Sequence, residues 1–164
     1  MSARGSCLLV AASTSAAQGQ VDHARDLLRE AASIDLGTTN PSTIAGFTSF
    51  TQWNVLMHQV AVEVEAGSPG AALAFAKPLS GVAIGNRERM SYLWVDIGRA
   101  LLQLDRYSES VDAFRRAERA APLRISLSPI VRNSLRELLA RNPRSVNGSS
   151  LRGLAERCGA LSDT

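Results

Sequence analysis

Apolar residues recur along the chain at spacings of three and four, the period of an amphipathic helix, in segments separated by glycine, proline and serine. Leu8, Ala11 and Ala12 precede a turn at Gly19, and Val21, Ala24, Leu28 and Ala31 follow it. Trp53, Leu56, Val60, Ala61 and Val64 precede Gly67-Ser68-Pro69, and Ala72, Leu73, Ala76 and Leu79 follow. A third pair of segments runs from Ser91 to Pro122. Beyond it, Ser128-Pro129 has the capping residue and proline of a helix start, followed by a stripe of Ile130, Val131, Leu135, Leu138 and Leu139 that ends near Asn142-Pro143. Ser145 to Ser150 reads as a polar linker, and Leu151 to Cys158 as a last short helix carrying Leu151, Leu154 and Ala155, stopped by Gly159. The expected fold is all-α, with three helical hairpins over 1–122 and capping helices over 123–164, in a single domain spanning 1–164.

The third pair carries the sharpest pattern. Trp94, Ile97, Gly98, Leu101, Ser110, Phe114 and Pro122 resemble the tetratricopeptide repeat, W-x2-L-G-x2-Y, then A-x3-F, then P. Five of the seven positions match exactly or by an aliphatic swap; Leu101 replaces an aromatic and Ser110 an alanine. The physical sense is a helical hairpin in which Gly98 permits close approach, Ser110 and Ala117 fill the crossing, and Trp94 and Phe114 plug the gaps. Pro122 then stops the second helix. With Ala24, Ala72 and Ser110 taken as equivalent, the copies are separated by 48 and 38 residues, against a period of about 34. The excess falls in loops, the larger at Gly37 to Gly46, which is uncharged and rich in turn formers, the smaller at Ser80 to Asn86.

Composition agrees with small-residue helix packing: 45% of residues are hydrophobic and only 5% aromatic, which leaves little for a β-sandwich core. The formal charge of +3 is unevenly spread. From Arg115 onward ten arginines face four carboxylates, a local +6, whereas the first 114 residues hold eight cations and eleven anions, −3. Such asymmetry can mark an anion-binding tail, but no basic residues form a contiguous run, and arginines spaced along amphipathic helices make a solvated face. Cys7 and Cys158 lie near opposite ends without metal-ligand spacing, which fits a reduced, cytoplasmic chain with neither metal nor cofactor. Arg4 followed by Cys7 to Ala12 imitates a secretory leader, with an apolar core short for that role. No stretch is long enough to span a membrane.

Nucleophile–base, zinc and phosphate-loop motifs are missing from the sequence, and Glu63 and Glu65, two apart on a helix, point to different faces. A non-catalytic role is therefore expected. Asn147-Gly148-Ser149 matches a glycosylation sequon of a kind frequent by chance. The first helix of each hairpin lines the concave wall of a repeat array, so the groove candidates are Trp53, Asn54, Met57 and His58 on one helix and Tyr92, Asp96, Arg99 and Gln103 on the next. Core packing is the competing reading for Trp53 and Met57. Asn54 and His58 share a face at i, i+4, where they could hydrogen-bond a peptide backbone and make its binding pH-sensitive.

Phe50 to Val62, Gly67-Ser68-Pro69-Gly70, Arg106-Tyr107 and Ala117 to Pro122 together resemble the C-terminal repeat region of actinobacterial helix-turn-helix regulators of the Xre type. Val131-Arg132 through Leu138-Leu139 and Leu151 to Ala155 are similar to that family's closing segment. The resemblance implies a domain that senses a peptide, small molecule or protein segment in its groove, with homodimerisation as a further implication. The family's DNA-reading domain would precede the first repeat, and this sequence leaves no room for it; direct DNA binding is not expected. A stand-alone scaffold docking a protein partner is the alternative, and a small enzyme a third.

Overall fold

A computed structural model describes residues 3–34, 50–79, 86–141 and 148–161. The expected loop over Gly37 to Gly46 lies outside the described residues, as do Ser80 to Gly85 and Asn147 of the sequon. Among the described residues the regular structure is helical throughout, with no strand. The helices are α1 (Ala3–Ala17), α2 (Val21–Ala32), α3 (Gln52–Glu65), α4 (Pro69–Ala76), α5 (Arg87–Gln103), α6 (Tyr107–Ala120), α7 (Pro122–Ser126), α8 (Pro129–Arg141) and α9 (Gly148–Arg157). They form two compact units, Met1–Asn86 and Arg87–Thr164.

Three consecutive pairs, α1/α2, α3/α4 and α5/α6, pack as hairpins, and all three close on the same turn. Gly19, Gly67 and Asp105 hold φ of +77°, +66° and +58°. The residue after each donates its N–H back to the first helix of its pair: Gln20 to Ser15 O at 2.9 Å, Ser68 to Glu63 O at 2.9 Å and Arg106 to Leu101 O at 2.9 Å. This is the Schellman closure, which needs one left-handed residue and satisfies otherwise orphaned helix carbonyls. Glycine enters that conformation without a Cβ clash, and Asp105 enters it as one of the few side chains that tolerate it. Five residues beyond each left-handed position stand Ala24, Ala72 and Ser110, all at 0% exposure. The three small positions aligned in sequence are thus equally buried, and at Ser110 the buried position is a contact between the paired helices.

In the first unit α3 packs against α1, α2 and α4. Its Val55 and Val62 join Leu9, Ala12, Ala16, Ala24, Leu28 and Ala31 in one cluster. Being covered on more than one side, α3 buries Val55, Val62 and Glu63 in addition to the expected Val60 and Val64. Glu63 is only 7% exposed and accepts two bonds from Arg25 of α2, from Nε at 2.9 Å and Nη2 at 2.7 Å. The phase of α1 differs from the expected one: Leu9, Ala12 and Ala16 are buried, Leu8 is half-buried and Ala11 exposed. In so alanine- and serine-rich a helix the apolar stripe is faint, and packing decides the face.

In the second unit Gly98 of α5 lies under the Phe114 ring of α6, where a Cβ would come within 3.1 Å of the ring carbons. The Ser110 hydroxyl donates to Gly98 O at 2.7 Å across the same crossing. α6 ends at Ala120, and Pro122 opens the short α7. Ser128 Oγ then accepts from Val131 N at 3.4 Å and α8 begins. Val131, Leu135 and Leu138 of α8, together with Leu151, Leu154, Ala155 and Cys158, share a core with Val111, Phe114 and Ala117 of α6. The segments expected to cap the array are therefore part of the α5/α6 core. Two details depart from expectation: Ser149 and Ser150 belong to α9 rather than to a linker, and Ile130 is 51% exposed, off the buried stripe of α8.

Two outcomes follow from this packing. Gly98→Val should lower the unfolding free energy by about 2 to 3 kcal/mol, because Phe114 is fully buried and has nowhere to move, and Ser110→Ala should lower it by about 1 kcal/mol; urea titration of both variants reads the difference. Burial pushes the Cys158 thiol above its ordinary pKa, so its contribution to stability is complete below the ordinary thiol range and fades as the pH climbs past it. With Cys7 exposed and Cys158 buried, Ellman's reagent at neutral pH should take one thiol at once and the second only as fast as the chain opens; two fast thiols would contradict the packing of α9.

Candidate binding groove

Unit 87–164 carries a groove of about 1120 Å³ walled by α5, α7, the start of α8 and the end of α6. Its construction begins at Pro122. Ala121 takes φ −146°, ψ 76°, and Pro122, lacking an N–H, sits at the first position of α7. That helix is so short that it buries one anchor, Ile125 at 2% exposure. Leu123 and Leu127, two residues to either side of the anchor, are left 74% and 66% exposed, and Ile130 at the start of α8 joins them. All three line the groove with Val95. Isolated exposed leucines are ordinary on a protein surface, whereas here three large apolar side chains gather along one wall.

The polar rim comes mainly from α5. Tyr92, 39% exposed, has its ring covered by the Arg124 guanidinium at 3.9 Å, a cation–π contact that fixes the arginine at the groove. Arg87 also lines the groove and donates to Arg119 O at 3.1 Å. Asp96 lies 3.6 Å from Arg99, so its charge is compensated on its own helix. Glu88 completes the charged lining.

Of the sequence candidates, Tyr92 and Asp96 line this groove. Arg99 reaches it only through Asp96, and Gln103 lies exposed at the last residue of α5. Trp53, Asn54, Met57 and His58 belong to the other unit: Asn54 is buried at 6% exposure and the other three are half-buried. His58 Nδ1 is 2.8 Å from Ser13 Oγ of α1. The Ser13 hydroxyl also lies 3.1 Å from Leu9 O, one turn back on its own helix. The Ser13–His58 pair is a clasp between α1 and α3.

Sequence reasoning missed Arg87, Leu123, Arg124, Leu127 and Ile130. Leucines spaced four apart read as a buried stripe, and nothing in the pattern tells an outward stripe from an inward one. Several arginines of the basic end have definite partners among the described residues. Arg132 Nε donates to Cys158 O at 3.2 Å and Arg136 Nε to Ala160 O at 3.3 Å, so α8 supplies cations to the carbonyl end of α9. Arg157 forks onto Glu118 at 2.6 and 2.9 Å, Arg141 pairs with Glu137 and Asp105, and Arg116 stacks on Trp94 at 4.6 Å. Much of the local positive charge is thus spent on tertiary structure. Among the described residues no group of three or more metal-ligating side chains gathers, and no helix is long and apolar enough to cross a membrane.

No protein-family model, no curated protein and no solved structure matches the chain.

If Leu123 and Leu127 serve the surface and Ile125 the core, Leu123→Asp and Leu127→Asp should each shift the unfolding free energy by no more than about 0.5 kcal/mol, while Ile125→Asp costs more than about 3 kcal/mol. Equal costs at the three positions would mean that α7 is buried on both sides.

Proposed function

We propose that the chain is a non-catalytic, tetratricopeptide-like helical-repeat module that binds a peptide segment of a partner in the groove between α5, α7 and α8, in the manner of a sensor or interaction domain of a transcriptional regulator. The observation that carries the reading is the exposure of Leu123, Leu127 and Ile130 on one concave wall. Covering each of them would contribute roughly 1 to 2 kcal/mol. Together they would make the apolar centre that an interface needs, with the charged side chains as its rim. Three supports favour the repeat assignment: the common left-handed turn, the common crossing residue five positions on, and the agreement of Trp94, Gly98 and Phe114 with the repeat pattern. The regulator context rests on the sequence resemblance. A stand-alone scaffold would use the same groove for a protein tail and differs in partner rather than in geometry.

The test is selection of a random peptide display library on the full chain, followed by affinity measurement on the Leu123→Asp/Leu127→Asp variant. A loss of at least about tenfold with unchanged thermal unfolding is expected. Selected peptides that bind this variant normally but are lost on His58→Ala or Trp53→Ala would move the site to α3 and refute the groove.

A further inference from the structure

We infer that the occupant of this groove is an acidic amphipathic peptide segment, one that sets apolar side chains on the leucine wall and Asp or Glu side chains against Arg87 and Arg124; this rests on the groove reading of the preceding subsection. Residues 87–164 hold fourteen arginines and nine carboxylates, a net +5. Six of those carboxylates, Asp96, Asp105, Glu109, Asp112, Glu118 and Glu137, already have an arginine partner within this unit. The surplus is therefore cationic, and part of it lines the groove. Among the described residues Arg87 and Arg124 meet no carboxylate: the first donates to a backbone carbonyl and the second lies on the Tyr92 ring. Facing them in the lining are Asp96, already compensated by Arg99, and one exposed carboxylate, Glu88. Two oriented guanidiniums beside an apolar wall offer forked donors to carboxylates, and they repel a basic segment.

Other anionic partners fit less well. Single-stranded nucleic acid needs a series of open aromatic faces for base stacking, and the lining holds a single aromatic ring, Tyr92, with Arg124 over one face at 3.9 Å. A bilayer needs a broad apolar face that enters the acyl region, whereas the three apolar side chains here share the lining with Arg87, Glu88, Asp96 and Arg124.

Fluorescence anisotropy with two synthetic peptides of about twelve residues tests the inference; both carry leucine at helical spacing, one with glutamate and the other with lysine at the intervening polar positions. The unaltered chain should bind the glutamate peptide at least about tenfold more tightly than the lysine peptide at roughly 0.1 M salt, with the gap narrowing as salt rises. Arg87→Glu/Arg124→Glu should invert the preference, and Arg87→Gln/Arg124→Gln should abolish it. Equal affinity for the two peptides, lost for both on Leu127→Asp, would overturn the acidic partner and leave the groove standing. No binding of either, with library peptides insensitive to Leu127→Asp, would remove groove and partner together. Stronger binding to phosphatidylglycerol vesicles than to the glutamate peptide would assign the wall to a membrane surface. A peptide-free doubling of mass abolished by Leu127→Asp would assign it to a second copy of the chain. Either of these last two results would also overturn the inference.

Discussion

Two helices can lie side by side only if the side chains between them leave room, and in this chain that room is set by a small residue five positions after a left-handed turn. The turn reverses the chain without orphaning the carbonyls of the helix it closes, since the residue beyond it bonds back in each hairpin at 2.9 Å. It also fixes the register in which the second helix starts. Ala24, Ala72 and Ser110 therefore take equivalent places in their helices, and each is fully buried. At the α5/α6 crossing the tolerance is tightest, because the Phe114 ring occupies the space that a Gly98 side chain would take. A larger residue at either point would spread the pair and loosen the wall on which α7 and α8 rest.

The groove is a consequence of where that tight pair ends. Pro122 cannot continue α6, and the non-helical backbone of Ala121, at φ −146° and ψ 76°, turns the chain into a five-residue helix. So short a helix has one inward position, taken by Ile125, and its leucines must point elsewhere. Tyr92 and Arg87 stand on α5, which Gly98 and Ser110 hold in place, so the polar rim and the apolar wall are positioned by the same crossing. Arg124 joins the two by lying on Tyr92. The first unit shows the contrasting use of polar groups. Its Glu63–Arg25 and Ser13–His58 contacts join α3 to α2 and α1.

How much of this was legible in the sequence follows from which features have local causes. The helical class and the α5/α6 hairpin were readable because Gly98, Ser110 and Phe114 each have a steric reason to be that residue type. So were the start of α8 at Ser128-Pro129 and the end of α9 at Gly159, which are capping chemistry. The face of α1 was not readable, since Leu8 and Leu9 are adjacent and the alanines give no strong phase; nor was the burial of Val55, Val62 and Glu63, which depends on helices distant in sequence closing round α3. Of the candidate site, Tyr92 and Asp96 were found from the position of α5 in its hairpin. Leu123, Leu127 and Ile130 were missed because an outward leucine and an inward one look alike until the anchor between them, Ile125, is known to be buried. The left-handed turn at Asp105 was not readable either, since the first two turns announce themselves by glycine and the third does not.

The central claim is that the wall built by α5, α7 and α8 is a binding surface. Hydrogen–deuterium exchange of the full chain, with and without a saturating groove-selected peptide, addresses it most directly. The account predicts added protection confined to α7, the first turn of α8 and the first half of α5, with α3 unchanged. Protection centred on α3, or spread evenly over both units, would contradict it.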